Sequence, residues 1–270
     1  PDGRLSVRLI PLSAGDLTLA ALLVLLLAFL SFRMRLGLSM QLLVAAFRTT
    51  VQLLLIGLVL HALFAHVRLA WVVLISLIML ATAGFEVMSR QQQRFRGWWS
   101  FGIGTVSMFV SSFAVTLLAL GALVEVSPWY APQYAIPLLG MLLGNTMNGV
   151  ALSMDTLTKT VREQRPAIEQ RLLLGQDRHQ ALAQIRRDAM RTGMVPVINA
   201  MAAAGIVSLP GMMTGQILAG SPPLEAVKYQ ILIMFLIAAG TGFGTVAAIG
   251  LLGRRLFDER HRLRLEHLIK

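Results

Sequence analysis

Long apolar runs separated by short polar segments dominate the pattern of the chain. The runs are about twenty residues long, the length that a helix needs to cross a hydrocarbon core of about 30 Å. They do not alternate between apolar and polar positions, as the strands of a transmembrane barrel do. The pattern therefore predicts an all-α fold, a polytopic membrane helical bundle of about seven transmembrane helices, at residues 16–33, 39–60, 69–89, 99–124, 133–157, 193–219 and 225–252.

The composition also indicates a membrane protein. Of the 270 residues, 56% are apolar and 14% are charged, and the mean hydropathy is +0.70; charged residues make up about a quarter of a soluble domain. No repeat or low-complexity linker interrupts the chain, so we predict a single transmembrane domain over residues 1–270, embedded in the lipid bilayer of the cell inner (plasma) membrane. The absence of cysteine excludes disulfides and thiolate metal sites.

Basic residues lie mainly after alternate spans. The formal net charge is +11, but the charges cluster between spans and form no single face, so we expect no nucleic-acid partner. Arginine and lysine near the ends of spans are retained in the cytoplasm. The N-terminus is therefore expected outside and the C-terminus in the cytoplasm, because the basic residues follow spans 1, 3, 5 and 7: Arg33, Arg35, Arg90, Arg94, Arg96, eight residues within 159–191 and six within 254–270.

Two segments are predicted to lie in the cytoplasm. The first, residues 158–192, contains two stretches of helical character separated by Gly-Gln-Asp, with Gly175 placed where a helix would stop. The second is the basic tail at residues 254–270, whose pattern predicts an amphipathic helix on anionic headgroups.

Span 5 carries polar residues in the stretch LLGNTMNGVALSMDTL. On a helix, Asn145, Asn148 and Asp155 project within an arc of about 80°. Such a seam can bind neighbouring helices through hydrogen bonds, or it can line a path for a substrate. Both interpretations stay open for the two amides, while an ionisable group at this depth favours a cavity for Asp155.

Span 2 has a similar line of polar residues, formed by Gln41, Arg48 and Gln52. Arg48 lies too deep to reach water without a partner. Glu86 in span 3 is the candidate partner, although Arg90, four residues further along the same helix, competes for it. A structural ion pair and a charge on a substrate path are equally open.

Span 6 is expected to be broken. Pro210 removes a backbone donor and Gly211 adds a flexible point, which should free carbonyl groups in the outer half of the span. Asn199 and Gln216 flank the break. Transporters use broken helices around a pathway, and a packing kink is the alternative.

Several classes of function are excluded or disfavoured. The chain has neither the GxSxG of a serine hydrolase nor the GxxxxGK[ST] of a phosphate-binding loop, so it cannot hydrolyse ATP by itself. The 14 methionines are spread over several helix faces, which favours core filling over a soft-metal site. Gly240 with Gly244, and Gly104 with Ser107 and Ser111, are typical of helix-packing surfaces.

Three blocks of the sequence resemble the FetB-type permease family, which includes bacterial iron-export permeases and plant aluminium-tolerance half transporters. They are LLGNTMNGVALSMDTL, the stretch IEQRLLLGQDRHQALAQIRRDAMRTGMVPVINAMAAAGIVSLPGMMTGQILAG, and YQILIMFLIA. The resemblance implies the transmembrane half of an ABC transporter, arranged as a permease homodimer. It also implies a separately encoded cytoplasmic ABC ATPase that binds ATP and Mg, with no cofactor in this chain.

The cytoplasmic segment at 158–192 matches part of a pattern found in the permeases of ABC importers. In that pattern a Gly follows a Glu after six residues and an Ile follows after ten more, and Glu169, Gly175 and Ile185 have this spacing. The sequence continues with Arg-Arg-Asp where Leu-Pro is usual, so the match is incomplete. The segment is predicted to couple the permease to the ATPase, and a solvated charged loop is the alternative.

The resulting hypothesis is a non-enzymatic permease subunit of an ABC transporter that exports iron or a related metal. The residues expected on its substrate path are Arg48, Gln52, Glu86, Asn145, Asn148, Asp155, Asn199 and Gln216. Glu86 and Asp155 are the candidate metal ligands because carboxylates suit a hard cation, although an arginine beside them would repel it. The rivals are a proton-coupled secondary metal transporter and a non-transporting membrane scaffold.

Overall fold

The computed structural model describes residues 13–65, 67–95, 97–124, 127–258, 260 and 262–269. Helices make up most of this part of the chain. They are α1 (Ala14–Arg33), α2 (Ser39–Ala65), α3 (Leu69–Arg90), α4 (Trp99–Met108), α5 (Ala114–Leu118), α6 (Pro132–Glu163), α7 (Arg165–Leu173), α8 (Arg178–Ala181), α9 (Ala183–Ala203), α10 (Gly211–Leu218) and α11 (Pro223–Arg255), with π-helical turns at Phe109–Phe113 and Ala119–Leu123. The other elements are the strands β1 (Arg94–Phe95) and β2 (Leu268–Ile269) and a 3-10 turn at Leu265–His267.

Within the described residues, six stretches are long and apolar enough to cross a membrane. They are Ala14–Arg33, Ser39–His61, Leu69–Arg90, Trp99–Leu123, Pro132–Glu163 and Pro223–Arg255. Each overlaps one predicted span, which confirms the polytopic, all-α membrane fold. The 32 residues of α6 extend over about 48 Å. Since this exceeds a hydrocarbon core of about 30 Å, part of α6 lies outside the core.

The remaining predicted span, 193–219, is divided between α9 and α10 and is not one of these six stretches. The chain leaves the helix after Ala203, where Gly205 has a left-handed φ of 84° and its N–H donates to the Ser208 carbonyl. Pro210 and Gly211 lie where α10 begins. The turn that ends α9 is thus made at Gly205, because a residue with positive φ is best supplied by glycine.

Contacts within the chain define two compact units. The first holds α1 and α2 together with Gln216–Ser221, and the second holds α3 to α9, Gly211–Gly215 and α11. In the first unit α1 packs against α2. In the second unit α6 and α11 pack against each other and against α9, while α3 packs against α4 and α6. The single domain predicted over residues 1–270 stays a prediction.

Small residues let α6, α9 and α11 approach closely. A Cβ atom on Gly149 would lie 2.6 Å from Thr241 Cγ2 and 2.9 Å from the Gly193 carbonyl oxygen. A Cβ atom on Gly244 would lie 2.5 Å from Thr146 Cγ2. Backbones can approach this closely only where side chains are small. The GxxxG pair of α11 therefore forms a packing surface against α6, as the sequence predicts.

The tail beyond α11 is not the amphipathic helix that its pattern predicts, and that prediction is wrong. Helix α11 ends at Arg255, and β2 pairs antiparallel with β1. Asp258 accepts hydrogen bonds from the backbone N–H groups of Arg260 and Arg262, which reverses the chain. Leu256, Phe257 and Leu268 are buried in the core of the second unit. Burial of these residues in the core accompanies the non-helical path, so tertiary packing overrides the helical pattern of the sequence.

Candidate functional site

Two polar links join the end of α3 to α6. In the first, Arg90 Nη1 donates to Asn148 Oδ1 at 2.6 Å, and Arg90 Nε lies 3.6 Å from Glu86 Oε2. The Glu86 side chain is 16% exposed and that of Arg90 is 47% exposed. Arg90 is thus an ion-pair partner of Glu86 and at the same time binds one of the two amides of span 5.

In the second link, Asp155 Oδ1 accepts the backbone N–H of Gln92 at 2.8 Å. Gln92 lies just beyond the last residue of α3, and the half-buried carboxylate therefore holds the start of the α3–α4 connection. Next to it the buried Gln91 side chain donates to the Val87 carbonyl at 3.2 Å. We call Glu86, Arg90, Gln92, Asn148 and Asp155 the α3–α6 junction.

The sequence places these groups together by simple helical spacing. Glu86 and Arg90 are four residues apart, so they are neighbours on α3, and Arg90 also lies in the last turn, where a helix favours a cation. Asn148 and Asp155 are seven residues apart, which is about two turns of α6. The predicted path set omits Arg90, although its spacing from Glu86 is the signal that identifies it.

The predicted path residues outside the junction are scattered over both units. Arg48 and Gln52 lie on exposed positions of α2 in the first unit, and the proposed pairing of Arg48 with Glu86 stays a prediction. Asn145 is exposed on α6 and its Nδ2 donates to the Met141 carbonyl of its own helix at 2.8 Å. Asn199 is exposed on α9.

Gln216 lies in α10, where it is half-buried. Its amide oxygen is buried and has no hydrogen-bond partner within the part of the chain that the structure describes.

The carboxylates do not form a ready metal cluster. No group of three or more His, Cys, Asp or Glu side chains that could hold a metal ion occurs among the described residues. At the α3–α6 junction both candidate ligands already bind protein groups, Glu86 through Arg90 and Asp155 through Gln92. A cation that approached Glu86 would therefore have to compete with the Arg90 guanidinium.

The predicted coupling segment forms a sharp helical corner. Helix α7 ends in a turn in which Gly175 has φ 87° and donates to the Leu172 carbonyl, while Gln176 donates to the Arg171 carbonyl. This pair of bonds is the Schellman arrangement, which requires a left-handed residue and explains the glycine. A capping box between Asp177 and Gln180 then starts α8. We call residues 171–181 the α7–α8 corner.

The three predicted coupling residues have different environments. Glu169 pairs with Arg165 inside α7, with Oε1 at 2.7 Å from Nε. Gly175 makes the corner itself. Ile185 is 3% exposed and belongs to the core of the second unit, so it positions α9 and offers no surface to a partner.

The α7–α8 corner exposes two leucines that the sequence reasoning did not single out. Leu173 is 87% exposed and Leu174 is 83% exposed. The corner is held in shape by Arg171 Nη1, which donates to the Ala181 carbonyl at 3.1 Å. The run of three leucines before Gly175 in a charged segment was the available signal. Of the three, Leu172 packs against the core.

Comparison with known proteins gives one family. The profile described as "Uncharacterised protein family (UPF0014)" matches residues 14–257. A membrane protein of that family from Synechocystis is 39% identical over 84% of this chain and 87% of its own length. The "Probable iron export permease protein FetB" of Escherichia coli is 30% identical over 94% of this chain and 96% of its own. "Protein ALUMINUM SENSITIVE 3" of Arabidopsis thaliana is 31% identical over 90% and 88%. No solved structure matches the chain.

Proposed function

Since the chain belongs to the UPF0014 family of multi-pass membrane proteins, we propose that it is the permease subunit of an ABC-type transporter that exports iron or a related metal. A separate cytoplasmic ATPase binds ATP and Mg and supplies the energy, and two permease chains form a homodimer. The name of the Escherichia coli relative, a probable iron export permease that aligns over most of both chains, supports the substrate class and the direction.

The structural observation that carries this proposal is the α7–α8 corner. Leu173 and Leu174 project from a rigid turn within the longest charged segment of the chain. Large apolar side chains at such exposed positions are typical of a protein interface, where one subunit fills a pocket of another. The corner therefore suits insertion into an ATPase subunit, with α7 and α9 transmitting the movement to the bundle.

At the α3–α6 junction, we assign Arg90 the role of a tethered cation. It pairs with Glu86 and donates to Asn148. A metal ion that reaches Glu86 and Asn148 displaces the guanidinium and takes over both oxygen ligands, which suit a hard cation. This exchange resolves the conflict between a cationic substrate and a nearby arginine.

The test is reconstitution of the chain in liposomes with a separately expressed ABC ATPase. ATP hydrolysis and metal flux are measured with ferrous, ferric and competing metal ions. The proposal expects a stable complex, iron-stimulated hydrolysis and ATP-dependent flux. A complex with no metal response would retain the ABC assignment and reject the substrate.

Two other results would replace the proposal. Flux without any ATPase and dependent on a proton gradient would indicate a secondary transporter, and Glu86 and Asp155 would be the carboxylates to replace next. A scaffold would be indicated if Asn145→Leu and Asn148→Leu fold normally and leave every flux unchanged, and if the chain binds no ATPase.

A further inference from the structure

A cavity of about 490 Å³ lies beside the break between α9 and α10. It is bounded by the end of α9, the break, the start of α10 and the first part of α11, with a lining that includes Met201, Leu209, Met213, Gln230, Met234 and Phe235. Its volume is within the range of about 300–1,000 Å³ that small-molecule sites occupy. The space exists because the chain turns away at Gly205, where a continuing helix would have placed further side chains.

Gln230 gives this apolar cavity one polar group. The residue is 7% exposed, and its amide oxygen is buried without a hydrogen-bond partner among the described residues. Buried polar groups in folded proteins are nearly always hydrogen-bonded, because an unpaired amide in apolar surroundings is destabilising. An occupant that donates a hydrogen bond to this oxygen, once the amide turns toward the cavity, would remove that penalty.

The rim of the cavity indicates where the occupant comes from. Leu209, Ile231 and Phe235 line it and are 59%, 49% and 60% exposed. Ile231 and Phe235 lie on α11, which is long and apolar enough to cross a membrane, and we infer that the mouth faces hydrocarbon. None of the described residues that line the cavity carries a charge, which disfavours an ionic ligand.

The methionines fit the same occupant. Met201, Met213 and Met234 are flexible apolar side chains that adapt to irregular ligand shapes. Thioethers also bind soft metal ions, but a cavity of about 490 Å³ is many times larger than a bare ion. The volume therefore decides in favour of an organic molecule.

We propose that this cavity binds the alkyl chain of a bilayer amphiphile whose uncharged hydroxyl group donates a hydrogen bond to the Gln230 amide oxygen. The site is independent of the proposed transport function, since it needs neither the ATPase nor a metal. It is tested on the purified chain alone in phosphatidylcholine vesicles, so the two proposals fail separately.

The probe is a long-chain alcohol that carries a photoactivatable diazirine. After irradiation, adducts are mapped by proteolysis and mass spectrometry, and we expect them within residues 201–213 and 227–235. Gln230→Leu should lower the labelling about fivefold, the loss expected for one neutral hydrogen bond. Met213→Trp should remove most of it by filling the cavity.

Matched controls use the same changes at exposed positions outside the cavity. Gln133→Leu at the start of α6 and Met40→Trp on α2 should label as the parent does. Equal labelling in all four variants, with no competition by unlabelled alcohol, would overturn the proposal, because it would show only general contact with lipid. If Met213→Trp fails to fold, Gln230→Leu and its control still decide.

Native mass spectrometry then tests the role of the hydroxyl group. Retention of the long-chain alcohol but not of its methyl ether, which cannot donate, supports the hydrogen bond to Gln230. Equal retention of both would contradict that hydrogen bond. Retention of neither, with no adducts at the cavity, rejects the site.

Discussion

Arg90 connects polar side chains of two helices at the α3–α6 junction. It pairs with Glu86 on its own helix and donates to Asn148 on α6. These contacts can be purely structural, because removal of one partner leaves the other without its hydrogen bond or counter-charge. Variants at this site must therefore separate a loss of stability from a loss of transport.

Asp155 allows that separation. Asp155→Asn keeps an oxygen that can accept the Gln92 N–H and removes only the charge, while Asp155→Leu removes both. If Asp155 serves only to hold the α3–α4 connection, the free energy of unfolding of Asp155→Asn should lie within about 1 kcal/mol of the parent's, and that of Asp155→Leu should be lower by about 1–3 kcal/mol. Thermal unfolding in detergent measures both.

The metal-ligand hypothesis for Asp155 expects a different pattern in flux. Asp155→Asn would then lose ATP-dependent metal flux while it keeps its stability. Unchanged flux in a stable Asn variant would contradict a role for Asp155 as a ligand.

At this scale the sequence predicts which residues are special better than it predicts their partners. The helical arc correctly groups Asn148 with Asp155, because both link α6 to the end of α3. It does not reveal that Asp155 binds a backbone N–H, since backbone partners leave no trace in side-chain spacing. Asn145 lies in the same arc but bonds to its own helix.

Among the elements, the crossing of α6 with α9 and α11 is a closely packed part of the second unit. Gly149→Ala should lower the free energy of unfolding by about 1–3 kcal/mol, because the new Cβ would overlap Thr241 and the Gly193 carbonyl. Gly144→Ala, one and a half turns earlier on the same helix, meets nothing within 4 Å and should stay within about 1 kcal/mol of the parent. Equal thermal unfolding of the two variants would contradict the close approach.

The α7–α8 corner gives a prediction about binding. The double change Leu173→Ser and Leu174→Ser should weaken the ATPase complex about a hundredfold, because two apolar anchors are lost. Co-purification and titration with the ATPase measure the effect. Leu224→Ser, which changes a leucine that is 69% exposed at the start of α11, is the matched control and should bind normally.

The tail should respond to acid. The backbone N–H of Arg262 is the main cause that holds the pKa of Asp258 below its usual range, with the Arg262 side chain and the Arg260 N–H acting in the same direction. Because the folded pKa lies below the unfolded value of about 3.9, this stabilisation is complete above that value and is lost as the pH falls through the folded pKa.

Hydrogen-exchange protection factors of the tail amides from about pH 5 to about pH 2 test this linkage. The parent should lose protection over that range. Asp258→Asn should have a lower and nearly pH-independent protection. Parallel curves for the two proteins would show that the Asp258 carboxylate does not hold the turn.

For the whole molecule, the basic segments constrain how the chain crosses the bilayer. Residues 159–191 and 254–264 are both expected in the cytoplasm. An even number of crossings must then separate them, so α9 and α10 together must cross once before α11 returns. The six long helices alone would place the two segments on opposite sides.

Because the chain has no cysteine, single-cysteine labelling can test this topology cleanly. Gln176→Cys in the α7–α8 corner should resist a membrane-impermeant maleimide in intact cells, and Leu224→Cys should react. Protection of both positions would mean that α9 and α10 enter and leave on the same side.

The sequence predicts the molecule well where the bilayer dictates the pattern and less well where packing does. The six long helices follow from apolar length alone, because a helix must span the hydrocarbon core. The end of α9 at Ala203 follows from the left-handed turn at Gly205. The paired tail depends on the burial of Phe257 in the core of the second unit. Local signals such as Pro210 mark the start of α10 and not the end of α9.

The pairing of β2 with β1 has a consequence for the order of assembly on the ribosome. Arg94 and Phe95 leave the exit tunnel long before their partners Ile269 and Leu268 are synthesised. The α3–α4 connection therefore cannot form this pairing until translation reaches the tail, when its flanking spans have already been inserted. A nascent chain arrested before Phe257 should therefore leave Phe95, which is 1% exposed in the folded protein, without its partner Leu268.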